Sequence, residues 1–200
     1  MKLSELIYPD LNTARSINLE RDRENTDVIT NYRITAKTRE ALGRFVDSLQ
    51  GERVSAWSLT GPYGMGKSSF VNYLMAITRP LDDQMSQVAM QKLKQTDADL
   101  YKKLADSIRS VVGKEGFFRV FVTAAYEPIN NTLARGLENA LASSDLPGAK
   151  KLNARLKTIK NKNVIESSEV IAIFRDIIRS LKRKVVIVVD EFGKNLEYMA

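Results

Sequence analysis

The 200-residue chain contains no cysteine and no histidine. The absence of cysteine excludes a disulfide scaffold, a thiolate metal site and a cysteine nucleophile. The absence of histidine excludes a Ser-His-Asp triad, a histidine general base and nearly every type of catalytic zinc site. Any chemistry of this chain therefore depends on carboxylates, hydroxyls, cationic side chains and the backbone.

Long apolar runs are also absent. The longest plain run, Val185 to Val189, has the size of one strand, whereas a membrane span needs roughly 20 apolar residues. The amino terminus lacks the apolar segment of a signal peptide. We therefore expect a cytoplasmic protein with no membrane partner. Hydrophobic residues form 44% of the chain and charged residues 28%, which is globular composition.

Apolar segments predict strands that alternate with helices. Strands are predicted over 54–60, 117–123 and 185–189. Predicted helices cover the following segments: from Thr35 or Thr38 to about 50, 67–77, much of 81–112, 127–144, 149–162 and 166–183. Apolar strands without polar alternation are typical of a parallel sheet covered on both faces, so the predicted fold class is α/β.

Several segments have a predicted place in this fold. Segment 27–34 has β-branched residues and predicts a short strand or an extended loop. The helices of 81–112 are polar and are expected at the periphery. Trp57, within the first strand, is expected in the core. The inward residues of the last helix are predicted to be Val170, Ile173, Phe174, Ile177, Ile178 and Leu181.

A glycine-rich stretch follows the first predicted strand. Residues 61–68 match the phosphate-loop pattern G-x-x-x-x-G-K-[ST] in full, in the strand–loop–helix context that the pattern requires. Backbone N–H groups of such a loop and the start of its helix attract phosphate. Lys67 is the predicted catalytic cation for the β- and γ-phosphates, and Ser68 a predicted Mg²⁺ ligand. The residues predicted to contact nucleotide are Gly61, Pro62, Tyr63, Gly64, Met65, Gly66, Lys67, Ser68 and Ser69.

Two carboxylates follow the last predicted strand. Ligands of parallel sheets bind at the carboxyl ends of the strands. Asp190 is therefore predicted to hold Mg²⁺ through water, and Glu191 to orient and polarise the water that attacks the γ-phosphate. The alternative is a strand that ends in a solvated acidic turn, which the phosphate loop upstream disfavours.

These motifs resemble P-loop ATPases of the additional-strand catalytic-glutamate division, and within it the AAA+ group. Residues 38–42 and 59–68 look like the front end of origin-recognition-type ATPases, and 190–197 is similar to ATPase modules of bacterial anti-phage defence proteins. The resemblance implies a three-layer fold, ATP as substrate, Mg²⁺ as cofactor, and a homo-oligomer in which a neighbour supplies an arginine. It also implies that segment 27–35 packs on adenine, with Ile29 and Tyr32 as the candidate contacts. An equally good interpretation is that these two side chains only pack on the first helix.

The resemblance further implies five core strands, whereas three are predicted here. We therefore expect an N-terminal arm over 1–26 and an ATPase core over 27–200 that lacks the later strands and the lid. A run of 11 Lys and Arg residues between 150 and 184, in a chain of net charge +7, permits a nucleic-acid partner. The alternative interpretation of this basic run is a helix face that is exposed to solvent and binds nothing. The alternatives to an ATPase motor are a slow-turnover switch that senses ATP and a nucleic-acid-binding module gated by ATP, with partner proteins also possible.

Overall fold

The computed structural model describes residues 22, 24–51, 56–62 and 64–200. Nine helices lie among these residues: α1 (Thr26–Asn31), α2 (Ala36–Leu49), α3 (Lys67–Ile77), α4 (Gln84–Thr96), α5 (Ala98–Val112), α6 (Ile129–Ala142), α7 (Ala149–Lys160), α8 (Ser167–Ser180) and α9 (Gly193–Met199). Two strands, β1 (Phe118–Thr123) and β2 (Val185–Asp190), lie among them. No helix of the described segments is long and apolar enough to cross a membrane.

The two strands form a parallel sheet. Phe118 lies opposite Val185, and the register continues to Thr123 opposite Asp190. Both strands were predicted, and the α/β class with a parallel sheet is confirmed. The register brings the carboxyl ends of both strands to the same edge, so Asp190 lies beside the loop that follows β1.

The strand predicted over 54–60 does not form in the described residues. Residues 56–60 have no regular secondary structure and are exposed, while 52–55 lie outside the described part of the chain. Trp57, expected in the core, is 39% exposed and contacts the Phe45 ring edge-on at a centroid distance of 5.8 Å. The prediction fails because a strand needs a paired neighbour, and β1 and β2 pair only with each other among the described strands.

One core lies among α1 to α5. Its fully buried side chains include Tyr73 of α3, Leu93 of α4 and Ile108 of α5. The expectation that 81–112 is peripheral is therefore wrong, because the apolar stripes of α4 and α5 pack inward even though both helices are polar overall. Asp83 and Asp97 cap these two helices by accepting backbone N–H groups.

A second core lies on one face of the sheet, under α6, α7 and α8. On the opposite face, Val71 and Met75 of α3 pack against Phe121, Val186 and Val188. The helix that follows the phosphate loop is thereby fixed against the strand that ends in Asp190.

Two local predictions are corrected, and one helix was not predicted. Segment 27–34 is helical at its start rather than extended, because Asn25 caps α1 by accepting the N–H of Asp27 at 3.0 Å. Ile178 is 48% exposed, not inward. Helix α9 was not predicted because its sequence has no strong helical periodicity of apolar residues. A buried polar residue, Asn195, anchors it.

Candidate functional site

The phosphate loop leads directly into α3, as the sequence predicted. Gly66 caps the helix in a left-handed conformation with φ of 77°, and Gly64 has φ of 80°. Side chains with a Cβ rarely adopt these angles, so glycine is required for this backbone path. Tyr63, predicted to contact nucleotide, lies outside the described residues. The first N–H groups of α3 lack partners within the helix and present positive charge to an anion.

Lys67 is the first residue of α3, and its ammonium group folds back on the loop. Nζ donates hydrogen bonds to the carbonyl oxygens of Gly61 at 2.8 Å and Pro62 at 2.9 Å. A phosphate group bound at the loop would therefore compete with these two carbonyl oxygens for the cation.

A cavity of about 460 Å³ opens between the phosphate loop and the α1–α2 segment. Met65, Gly66, Lys67 and Ser69 line it on the loop side. The opposite wall consists mainly of the start of the described chain, α1 and the start of α2: Asp22, Asn25, Asp27, Val28, Asn31, Tyr32, Arg33, Thr35, Lys37, Thr38 and Ala41. The start of α3 thus faces, across one cavity, a mainly polar wall that also contains Val28, the Tyr32 ring and Ala41. A concave site with a few polar groups is typical of sites for small ligands.

Tyr32 lies in that wall, whereas Ile29 does not. The Tyr32 ring stacks on the Tyr73 ring at 4.6 Å, and its hydroxyl shares a hydrogen bond of 2.9 Å with Thr38 Oγ1. Burial raises the pKa of Tyr32, and the bond to Thr38 partly opposes that rise, so the phenol stays neutral. Ile29 is 1% exposed and packs in the first core. Of the two candidates for an adenine contact, only Tyr32 lines the cavity.

Asp190 and Glu191 end β2 in a tight turn. Asp190 Oδ1 accepts the N–H of Glu191 at 3.0 Å, and Glu191 has a left-handed φ of 53°. Such a conformation is uncommon outside glycine and is found at functional sites held by their surroundings. The Glu191 carboxylate forms an ion pair with Lys194 of α9, and both side chains are about half exposed.

These two carboxylates do not line the cavity. The structure therefore brings Lys67 and Ser69 together with Tyr32, and it holds α3 against β2, but it leaves the acidic pair outside the phosphate-side cavity. Ser68, a predicted metal ligand, is half-buried and is not part of the lining either.

The donor chemistry of the predicted metal ligands suits a hard cation. Ser68 offers a hydroxyl and Asp190 a carboxylate, and Mg²⁺ favours oxygen ligands completed by water and phosphate. Within the described part of the chain, no group of three or more acidic residues could hold a metal ion. A cation at these two residues would thus depend on a bound phosphate for further ligands.

A buried polar cluster joins α9 to the end of β1. Asn195 is fully buried and its Nδ2 donates to the Glu127 carbonyl at 2.8 Å and to Thr132 Oγ1 at 2.9 Å. Glu127 Oε1 accepts from Thr132 at 2.8 Å and from Arg135 at 2.7 Å. Sequence reasoning missed this cluster, as it missed Lys194. The available signal was an asparagine four residues after Glu191, too weak to interpret without the fold.

The comparisons with known proteins give one family. Residues 38–194, more than half of the chain, match the model of the KAP family P-loop domain. No curated protein and no solved structure matches the chain.

Proposed function

The chain belongs to the KAP family of P-loop NTPase domains, and from this premise we propose that it binds ATP with Mg²⁺ and hydrolyses the γ-phosphate. The observation that carries the proposal is that Lys67 and Tyr32 line the same cavity. Its loop side has the cation and helix start that favour phosphates. Its other side has an aromatic ring suited to a base.

We propose that Tyr32 contacts the base. One face of its ring is occupied by Tyr73, whose hydroxyl is itself fixed by a 2.7 Å bond to the Ala89 carbonyl. The ring is therefore held in place before a ligand enters, and the entropic cost of ordering it on binding is small. Of the nucleotide-contact predictions, those for Met65, Gly66, Lys67 and Ser69 are supported by their place in the cavity lining.

For hydrolysis, we propose that Glu191 accepts a proton from the attacking water while Lys67 stabilises charge on the transferred phosphoryl group. Ser68 and Asp190 would hold Mg²⁺, which supplies further neutralisation of that charge. The location of Asp190 and Glu191 at the carboxyl end of a parallel strand supports these roles.

A second candidate function is a switch that binds ATP and turns it over slowly. Two observations favour it. The Lys67 ammonium is bonded to loop carbonyls, and the Glu191 carboxylate is paired with Lys194. Both proposed catalytic groups must leave a partner within the chain before they act, so a ligand or partner that releases them would set the rate.

We propose further that the domain is of the AAA+ type, with a three-layer sheet. Helices α3 and α6 pack on opposite faces of the sheet, which supports three layers. The outer edge of β2 pairs with no described strand, and Ile187 is 44% exposed there. Additional strands, from this polypeptide or another, would cover that edge and give residues 56–60 a neighbour. Assembly into a homo-oligomer and a role in anti-phage defence rest on the sequence resemblance alone.

The test of nucleotide binding is Lys67→Ala, measured by titration calorimetry with ATP. We expect the affinity to fall by about 100-fold or more, because the variant loses the mobile cation of the loop. Lys150→Ala is the matched control, since Lys150 is exposed on α7 and lies outside the cavity lining. Equal ATP affinity in Lys67→Ala and in the control would refute the proposal.

The test of the base contact compares ATP with inorganic tripolyphosphate. Tyr32→Leu is expected to weaken ATP binding by about tenfold, given the usual 1–3 kcal/mol of base–aromatic stacking, and to leave tripolyphosphate binding unchanged. An equal loss for both ligands would show that Tyr32 supports the loop rather than the base. Circular dichroism of the variant checks that the stack on Tyr73 is not needed for folding.

A further inference from the structure

The basic run between 150 and 184 has two parts with different surroundings. On α7 and just after it, Arg155 pairs with Asp176, Lys160 with Glu138, and Lys162 with Glu169 at 2.5 Å. The acidic residues of α8 are therefore engaged by neighbouring cations. Much of the positive charge that the sequence displays in this region is neutralised within the chain.

Arg175 and Arg179 of α8 are different. Both are exposed, and neither forms an ion pair with a described residue. Each lies within one helical turn of an exposed isoleucine: Ile171 is 54% exposed and Ile178 is 48% exposed. Residues 171, 175 and 178 are four and three positions apart, which places them on one face of the helix. This outward face of α8, formed by Ile171, Arg175, Ile178 and Arg179, combines apolar surface with free positive charge.

The same helix buries Val170, Ile173 and Ile177 against the sheet. The apolar stripe of α8 is thus wider than the part that the core covers, because Ile171 and Ile178 extend it past the partly buried Phe174 onto the exposed side. Single exposed apolar residues are ordinary, but two isoleucines one helical turn from unpaired arginines make a combined surface. Arginine is also enriched among residues that contribute most to protein interfaces.

We propose that the outward face of α8 docks an acidic amphipathic segment of a partner protein. Charge complementarity sets the sign of the partner, because both free side chains are cations. The two exposed isoleucines favour a protein partner over a nucleic acid. A nucleic-acid backbone offers no apolar surface to them, and no aromatic ring lies between the two arginines for stacking on bases. Carboxylates alternating with leucine-like side chains would satisfy both parts of the surface.

The probe is a fluorescein-labelled helical peptide of about 20 residues with leucines on one stripe and glutamates beside it. Binding to the full chain is measured by fluorescence anisotropy at two salt concentrations. We expect saturable binding that weakens with salt, because exposed charges are screened beyond about 8 Å at physiological ionic strength. We expect Arg175→Glu with Arg179→Glu to weaken it about tenfold or more.

Two comparisons make the test specific. Lys150→Glu with Lys157→Glu removes the same charge from exposed positions of α7 and should leave peptide affinity within about threefold of the parent. Ile171→Ser with Ile178→Ser should weaken peptide binding without altering folding, since both side chains are exposed. Equal losses in the two charge-reversed variants, or no effect of the serine variant, would overturn the proposal. So would undetectable peptide binding by the parent chain, or tighter binding of a DNA duplex or of phosphatidylserine vesicles than of the peptide.

Discussion

Gly136 lies in α6 where that helix crosses β1, and its replacement by alanine tests how closely the two elements pack. An alanine Cβ built at this position would lie 3.0 Å from Val122 Cβ, 3.1 Å from Val122 Cγ1 and 3.2 Å from Val120 Cγ1. Both valines are fully buried. The strand therefore has to shift by a few tenths of an ångström to admit one methyl group.

Two effects of opposite sign decide the result. Alanine in a helix is favoured over glycine by about 0.5–1 kcal/mol. Overpacking a well-filled core costs about 1–3 kcal/mol. Because the added Cβ would lie only 3.0–3.2 Å from the two valines, the overpacking cost should exceed the helix-propensity gain. We therefore expect a net loss of about 1 kcal/mol in the free energy of unfolding.

Gly43 on α2 provides the matched control. A Cβ at Gly43 would meet nothing within 4 Å, so Gly43→Ala keeps the helix-propensity gain without the contact. Urea unfolding followed by circular dichroism should therefore show Gly43→Ala shifted to higher urea and Gly136→Ala to lower urea, with midpoints about 1 M apart. If Gly136→Ala were stabilised as much as Gly43→Ala, the close approach of α6 to β1 would be refuted.

Three other perturbations have defined outcomes. Glu191→Gln should keep ATP binding and lose hydrolysis, because the amide cannot accept the proton from water; single-turnover hydrolysis at the parent rate would exclude Glu191 as the base. Asn195→Ala should lower the free energy of unfolding by about 1–3 kcal/mol, since buried acceptors lose their donor; an unchanged urea midpoint would contradict the role of this cluster. Burial tends to raise the pKa of the Asp83 carboxyl, but the Arg79 guanidinium and two backbone N–H groups more than offset this and hold it below its usual value. A carboxyl whose pKa is lower in the folded than in the unfolded state stabilises the fold above the unfolded-state pKa, and this stability is lost as pH falls. The free energy of unfolding of Asp83→Asn should therefore decrease less steeply below about pH 4 than that of the parent. Identical dependence of stability on acid pH in the two proteins would refute this.

The elements that sequence reasoning predicted well are those with local signals. The cap of α2 is Thr35, whose hydroxyl accepts the N–H of Thr38 at 3.2 Å, and α3 begins at Lys67 because glycine at 66 ends the loop. The strands β1 and β2 were predicted from short apolar runs. Each of these signals acts within a few residues and does not depend on the rest of the fold.

The predictions that failed depend on distant partners. A strand over 54–60 requires a neighbour in the sheet, and Ile178 would be inward only if something covered the outer side of α8. The short helix α1 forms although its β-branched residues favour extended structure, because Asn25 caps it and Ile29 packs into the core. At the candidate site, the loop and Tyr32 were predictable, whereas the Lys194 ion pair needed the turn at Glu191 to be known.

The Lys67 ammonium is hydrogen-bonded to carbonyl oxygens of its own loop before any ligand binds. An incoming ligand must exchange two short hydrogen bonds from Nζ to loop carbonyls for contacts of its own. Bonds to a charged group contribute about 1.5–3 kcal/mol each, so only a ligand with phosphate oxygens within reach of Nζ recovers the loss. A nucleoside monophosphate lacks the β- and γ-phosphates that we propose Lys67 contacts, so we expect affinity to rise steeply from the mono- to the di- and triphosphate.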